Sequence, residues 1–376
     1  MKSEQVVGGM LSLGIPEYRL PKDIVERDIK RIVKAGVKIK TGITFGKDIT
    51  FSELKDKGFK AVYLSIGAWK ESRLDIPGID LLGFLGSLSF LKDYNCEKIK
   101  KIGGNYTIIK GDNRIVVTGK RVAVIGGGSA AMDVARSCLR LGAAEVHVVY
   151  RRTKDAMPAI PEEVVEGDRE GVKSHFLLIP NAIRGEDGRI TELECLHTRP
   201  GEFDLSGRRK PVSTGEKFVL PVDIVISAIG GKPEKLAFSG VSLAANENGT
   251  VKADKYSLAT SLDGVFAGGD LVSGGGTVIE SVADGERAAI SIERYLTGAD
   301  MQLDRFVIKG ERKVVDYIDP LKEVKPKSRV SHAKLSMNKR LQAFTEVELG
   351  YAKSQACDEA DRCLRCDRKE ATADER

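Results

Sequence analysis

The residues best placed to do chemistry lie between 122 and 152. Four apolar, mostly β-branched residues, Val122-Ala123-Val124-Ile125, run into Gly126, Gly127 and Gly128. Ser129, Ala130 and Ala131 follow and open an amphipathic run, Met132–Leu141, before a second apolar run, Val146–Tyr150. Strand, glycine turn, helix, strand is the context in which a G-x-G-x-x-A match points to dinucleotide binding; without it the same glycines read as an ordinary tight βα turn. Gly126 permits the turn, Gly128 lets the backbone approach a pyrophosphate, and Ala131 lets the helix sit close to the strand. The free N–H groups and positive dipole end of the helix then face the phosphates. An NAD site ends its second strand in Asp or Glu, which accepts from the ribose 2′-hydroxyl. Here that place holds Tyr150-Arg151-Arg152. Two guanidiniums suit a 2′-phosphate that a carboxylate would repel, so the pair predicts NADPH over NADH; the competing reading is a solvated strand end.

A second constellation lies further on. Gly264-Val265-Phe266-Ala267-Gly268-Gly269-Asp270 reads as a strand that stops at an exposed aspartate, and a long helix, Thr277–Leu296, follows the loop Gly274-Gly275-Gly276. In flavoproteins with two dinucleotide domains such an Asp binds the ribityl and pyrophosphate end of FAD. The helix N-terminus then lies against the flavin edge where charge develops on reduction. The bland reading of Asp270 is a turn or helix-capping residue.

Cys357, Cys363 and Cys366 form a C-x5-C-x2-C string. Thiolates so spaced can share one iron–sulfur cluster. Three readings stay open: a cluster completed by a partner, a docking element without metal, and a zinc or redox pair. Cys96, Cys138 and Cys195 are isolated, and the four histidines show no metal-ligand spacing. No catalytic triad or paired-carboxylate arrangement stands out, and no catalytic side chain is assigned. Glu162-Glu163 after Pro161 read as a helix start, with a possible second role in orienting the nicotinamide.

These groups need α/β scaffolding. At 376 residues the chain should hold two domains, or one with an insertion. Forty glycines exceed the usual ~7% and suggest many βα turns. The net charge of +6 is mild and spread out, which argues against nucleic acid or a membrane surface as partner. The longest apolar runs are strand-sized and the start MKSEQVVGG has no apolar secretion segment, so a cytoplasmic location is expected. Further expected elements are helices at 23–35, 51–57, 82–94 and 354–366. Strands are expected at 37–40, 61–66, 176–179, 190–197 and 224–229, with a connector or small hairpin at 95–118.

The chain resembles the small, flavin-containing subunit of NADPH-dependent glutamate synthase and its relatives. The marks are Gly8-Gly9, Gly14-Ile15-Pro16, Arg19-Leu20-Pro21-Lys22, Ile66-Gly67-Ala68, Ile76-Pro77-Gly78, Gly126–Asp133, Tyr150-Arg151-Arg152, Met157-Pro158-Ala159, Ala228-Ile229-Gly230, and Gly264–Asp270 with Gly276-Thr277-Val278. The resemblance implies a two-dinucleotide-binding-domain flavoprotein in which hydride passes from NADPH to FAD and electrons leave singly through iron–sulfur centres. It implies a partial FAD-binding domain from 1–118 and 236–303, an NADPH Rossmann domain inserted at 119–235, and a tail at 304–376. Gly9, Ile15, Gly269, Asp270, Gly276, Thr277 and Val278 would line the flavin side, with Gly230 beside the nucleotide. It implies a [4Fe–4S] site, shared or incomplete, at the cysteines. The expected partner is an electron-accepting subunit or a ferredoxin.

The chain departs from that family in one large respect. No strand–GxGxxG–helix–strand unit for the ADP half of FAD precedes Gly8-Gly9. Either a separate chain supplies it, or this is a truncated product or a non-catalytic NADPH-binding module that holds no flavin alone. Smaller departures are Gly231 and Ser129-Ala130, where relatives often carry Gln and Asn-Thr.

Overall fold

The computed structural model describes residues 6–204, 207–234, 243–301 and 327–362. The N-terminal stretch forms α1 (Met10–Leu13), α2 (Lys22–Lys34), α3 (Phe51–Asp56) and two short strands, β1 (Val62–Leu64) and β2 (Lys70–Glu71). β3 (Phe84–Gly86) leads directly into α4 (Ser87–Asn95), and a meander of β4 (Lys100–Ile102), β5 (Asn105–Lys110) and β6 (Asn113–Val116) follows. Then come β7 (Arg121–Ile125), α5 (Ser129–Arg140), β8 (Glu145–Tyr150), α6 (Pro161–Glu170) and β9 (Lys173–Phe176). The long strands β10 (Leu178–Glu186), β11 (Arg189–Phe203) and β12 (Arg209–Pro221) precede β13 (Ile224–Ser227) and β14 (Gly231–Lys232). The chain continues through β15 (Val265–Ala267), α7 (Asp270–Ser273), α8 (Val278–Thr297), α9 (Met337–Gln342) and α10 (Lys353–Ala360).

Strands β3-β13-β7-β8-β9 form one parallel sheet in that order. β7 is central and buried on both faces, with Val122, Ala123 and Val124 fully inaccessible; this is why its sequence is a continuous apolar run rather than an alternating one. One face packs on α5 through Ala131, Met132, Val134, Ala135 and Cys138. The other packs on the antiparallel sheet β10-β11-β12 through Ala123, Ile125, Val149, Leu193 and Val225. The flavin-side sheet is far smaller: β1 and β15 pair in parallel over three residues, above a modest core of Leu64, Leu243, Val251, Val265, Ala267 and Leu271.

Several expectations need correction. Residues 82–94 are a strand followed by a helix. β3 pairs with β13, so the parallel sheet takes a strand from within the 1–118 stretch, and Phe90, Ile108 and Ile115 pack on the same core. α4 begins there because the Glu71 carboxylate accepts from the Leu88 and Ser89 N–H groups at 2.6 and 3.1 Å, like a borrowed N-cap. Val37–Lys40 is not a strand: Val37 and Ile39 are exposed and nothing pairs with them among the described residues. The connector 95–118 is a three-stranded meander, and β12 was not foreseen, its alternation being blurred by charged residues. The C-terminal helix ends at Ala360.

Between the parallel sheet and the antiparallel one lies a polar contact. His147 Nδ1 and His175 Nε2 stand 3.0 Å apart, His147 Nε2 is 3.0 Å from Glu145, and the His175 ring packs on Phe218. Burial, then neighbouring positive charge, lowers the pKa of His175; burial lowers that of His147 against the pull of Glu145. Groups with lowered folded-state pKa values bind fewer protons folded than unfolded. Their contribution is present above the ordinary histidine value and is lost as pH falls below it. The melting temperature should therefore fall between pH 8 and pH 5. The double variant His147→Gln/His175→Gln should show a shallower fall, and equal slopes in a thermal melt series would count against this assignment.

Candidate functional site

The glycine turn sits where β7 and β13 end side by side. An added Cβ at Gly126 (φ +145°) would collide with the carbonyl of Ala228, so this glycine is required by the strand crossing itself. At Gly127 a Cβ would stand 2.5 Å from the Tyr150 ring, which fills the underside of the turn and is pinned by its own hydroxyl donating to Ala156 O at 2.7 Å. Gly128 differs: its nearest neighbour would be Pro158 Cγ at 4.0 Å. The space above Gly128 is thus open to a ligand. Gly128 caps α5 without a side chain, so the Ser129 and Ala130 N–H groups have no intrahelical acceptor and are available to an anion. Ala131 is fully buried. Gly230 (φ +99°) lies beyond β13 on the same edge, with open space at its Cβ position. The crevice between β7 and β13 is the topological switch point of this sheet, where ligands bind in open α/β folds.

The two arginines are placed differently. Arg151 is exposed at the end of β8. Arg152 is buried, donating Nε to Arg209 O and Nη2 to the Asp204 carboxylate, both at 2.8 Å. Sequence reasoning saw two equivalent cations; the structure shows one at the surface and one tied to the β11–β12 hairpin, some fifty residues away and without a sequence signal. The Met157-Pro158-Ala159 string also touches the turn: Ala159 N–H donates to Gly127 O at 3.0 Å.

Glu163 does not lie free near the turn. α6 turns one stripe of carboxylates inward, Glu163, Glu166 and Glu170, each held by cations from a different segment. Glu163 pairs with Arg19 of the N-terminal loop, and Arg19 also forks onto Asp133 of α5 at 2.8 and 2.9 Å. Glu166 pairs with Arg340 and Lys334 of the C-terminal segment. Glu170 accepts from Arg136 and Arg140 of α5, which hold its carboxyl down at about 2 despite its burial.

On the flavin side, β15 ends at Gly268-Gly269-Asp270. The Asp270 carboxylate accepts from Gly276 N–H at 3.0 Å, and burial raises its pKa. The Gly269 N–H is taken by Asp284 at 2.7 Å, so Gly269 contributes shape rather than a donor. Thr277 is the N-cap of α8 in a capping box with Glu280. Behind it Val278, Ile279 and Val282 are exposed, Ile279 at 72%. Gly9 caps α1 with open space at its Cβ position, and Ile15 closes the following turn, its carbonyl accepting from Lys22. Cys357 is exposed on α10; Cys363 and Cys366 lie outside the described residues. No group of three or more metal-ligating side chains is assembled among the described residues. No helix among them is long and apolar enough to cross a membrane.

Two strand ends, each turned by glycines beneath a helix N-terminus, define a two-dinucleotide-domain flavoprotein fold. The chain belongs to the pyridine nucleotide-disulphide oxidoreductase family, whose sequence profile matches residues 5–288. It is 40% identical over 375 residues to the NADP(+)-dependent formate dehydrogenase subunit beta of Moorella thermoacetica, covering 96% of this chain and 50% of that one. It is 36% identical over 292 residues to a putative glutamate synthase [NADPH] small chain of Cereibacter sphaeroides, covering 77% of this chain and 68% of that one. The chain spans about half the length of the formate dehydrogenase subunit. Among solved structures, FprA of Mycobacterium tuberculosis in complex with NADPH matches at a TM-score of 0.62 and 18% identity over 77% of this chain and 75% of that one. A thioredoxin reductase of T. acidophilum matches at 0.56 and 18% identity over 79% of this chain and 88% of that one. These two show the fold.

The glycines should separate by role. Gly128→Val should keep the parent melting temperature and lose NADPH binding. Gly127→Val should lose the fold, because Tyr150 cannot move without breaking its bond to Ala156. Calorimetric titration and thermal melts check both; retained NADPH binding in Gly128→Val would remove Gly128 from the site.

Proposed function

We propose that this chain is the NADPH:FAD oxidoreductase portion of an electron-transfer protein resembling the glutamate synthase small subunit. The observation that carries the reading is the open space over Gly128 at the uncapped end of α5, with Arg151 at the neighbouring strand end. The turn of Gly126, Gly127 and Gly128 receives the pyrophosphate against the Ser129 and Ala130 N–H groups, with Ala131 packed beneath; the Gly126 and Ala131 N–H groups are already taken by Val149 O and Gly128 O. Arg151 takes the 2′-phosphate, and Arg152 holds the hairpin beside it. Gly230 lines the crevice across from the turn.

The flavin-side residues fit half of a flavin site. Asp270 offers a carboxylate at the end of β15, Gly276, Thr277 and Val278 open α8 above it, and Gly9 and Ile15 close the loop that the family resemblance places nearby. NADPH and FAD, when bound, supply hydride transfer and single-electron release; the chain binds, orients and shields them. The adenosine half needs a further strand–turn–helix–strand unit from polypeptide outside the described residues. The outer edge of β15 is covered by Leu258–Thr260, but the two-stranded sheet ends at β1, whose outer edge pairs with nothing among the described residues; that edge and the exposed apolar face of α8 support that requirement. The same features favour, as the second reading, an NADPH-binding module that holds no flavin by itself.

The electron-accepting partner is a further subunit or a ferredoxin, in keeping with relatives named as beta subunits and small chains. Cys357 is exposed and available as one thiolate of a shared [4Fe–4S] site with Cys363 and Cys366.

The visible absorbance of anaerobically purified protein tests the reading. Oxidised-flavin bands that bleach on adding NADPH are expected for the oxidoreductase; a colourless protein that still binds NADPH selects the module instead. Arg151→Ala should raise the Kd for NADPH about ten-fold or more, the scale of a lost charge-assisted hydrogen bond, and leave NADH unchanged. Equal loss for both nucleotides would refute the 2′-phosphate role.

A further inference from the structure

The meander β4–β6 carries charge that nothing answers. Between residues 97 and 120 lie six cations, Lys98, Lys100, Lys101, Lys110, Arg114 and Lys120, against two carboxylates, Glu97 and Asp112. All eight are exposed, and none of the six cations forms an ion pair among the described residues. Lys101 instead leans on a ring, its Nζ 5.5 Å from the centre of Tyr106. On α2, by contrast, Lys30 and Arg31 reach Glu26 and Asp28 at 2.8 and 3.2 Å.

The two faces of the meander differ. Tyr106, Ile108 and Ile115 share one face, and Ile108 and Ile115 are buried in the core beneath α5. Tyr106 also receives Phe344 of the arm that carries Cys357, with 6.0 Å between ring centres. On the opposite face Lys100 stands across from Thr107, Thr107 from Val116, and Ile109 from Arg114, with Ile102 two residues along from Lys100. There Ile102 and Ile109 are exposed at 41% and 47%. Exposed isoleucines among unpaired cations have the make-up of an interface with an apolar centre and a charged rim.

We propose that this outward face of β4–β6 is the docking surface for the electron-accepting partner, a protein that presents carboxylates around an apolar centre. This rests on the oxidoreductase reading, which calls for such an acceptor. Charge complementarity selects the occupant. Cations without partners of their own attract carboxylates arriving from outside, which steers the encounter, and contact then covers Ile102 and Ile109. Nucleic acid fits less well, because this face has no aromatic ring on which a base could stack. Docking here seats the partner on the element that also anchors the cysteine-bearing arm.

Calorimetric titration of the full chain with a small acidic ferredoxin tests this, with the absorbance response to NADPH recorded for each variant. The parent should bind, and raising the salt from about 0.05 M to about 0.5 M should weaken it. Lys100→Glu/Arg114→Glu should raise the Kd at least about ten-fold and flatten the salt dependence, and Ile109→Ser should raise it about five-fold. Lys55→Glu/Lys57→Glu reverses two exposed charges on and just after α3, which packs in the other core, and should stay within about two-fold; a loss equal to that of Lys100→Glu/Arg114→Glu would mean a general field and overturn the proposal. Equal affinity of the parent for a short random-sequence DNA duplex would mean a polyanion site and overturn it too. Unchanged ferredoxin binding in Lys100→Glu/Arg114→Glu, or no binding by the parent, while NADPH still bleaches a flavin band, would overturn the docking face and leave the oxidoreductase reading standing. A colourless parent that binds ferredoxin through this face would keep the face and remove that reading.

Discussion

A single buried carboxylate, Glu170, holds two arginines of the neighbouring helix. Arg136 and Arg140, one turn apart on α5, fork onto it at 2.7 to 3.0 Å, and neither carboxylate oxygen meets solvent. The Tyr18 ring covers the pair, 3.8 Å from the Arg140 guanidinium carbon, and donates its hydroxyl to Asp133 O. Charges removed from water this way are costly unless every partner stays in place; loss of one typically costs about 3–5 kcal/mol. The cluster therefore fixes α5 against α6, and α5 carries the glycine turn at its other end.

The same helix pair gathers the rest of the chain. Glu163 and Glu166, on the stripe of α6 that carries Glu170, bring in the N-terminal loop through Arg19 and the C-terminal segment through Arg340 and Lys334. Those two outside segments also meet each other, Val347 N–H donating to Tyr18 O at 3.0 Å, while Phe344 packs edge-on against Tyr94 and Tyr106. The nucleotide unit is thus the rigid centre to which both ends are fastened. Helix α10, with Cys357, follows from that fastening: it belongs to a compact arm in which Leu335, Val347, Ala333 and Leu349 pair across the chain.

The flavin half contrasts with this. Its parallel pairing is two strands wide, and α8 turns Val278, Ile279 and Val282 to the surface. Its corner is nonetheless well made. Asp270 bridges to Gly276, Thr277 and Glu280 cap each other reciprocally, and Asp284 takes the Gly269 N–H. A corner ordered locally but thinly supported globally suits a site completed by further polypeptide.

The nucleotide strand, turn and helix were legible in the sequence because their signals are local: an apolar run, glycines that no other residue can replace at the strand crossing, and helical periodicity. The strand ending at Asp270 and the long helix starting at about Thr277 were legible for the same reason. The separate fates of Arg151 and Arg152 were not, since they depend on Asp204 and Arg209 arriving from a distant hairpin. The strand within 82–94 was missed because three residues carry too little pattern, and only pairing with β13 makes them a strand. Glu162 and Glu163 were legible only as a helix start, and the inward carboxylate stripe of Glu163, Glu166 and Glu170 was not legible at all, because it depends on Arg19, Arg136, Arg140 and Arg340 converging on it. The sequence by itself determined the strand, the glycine turn and the helix that follows it, because their signals reside in consecutive residues. Only the tertiary structure decided that Arg151 is exposed while Arg152 is buried against Asp204, and what holds the helices, because ion pairs are set by which charges are buried together, and burial is a property of the whole fold.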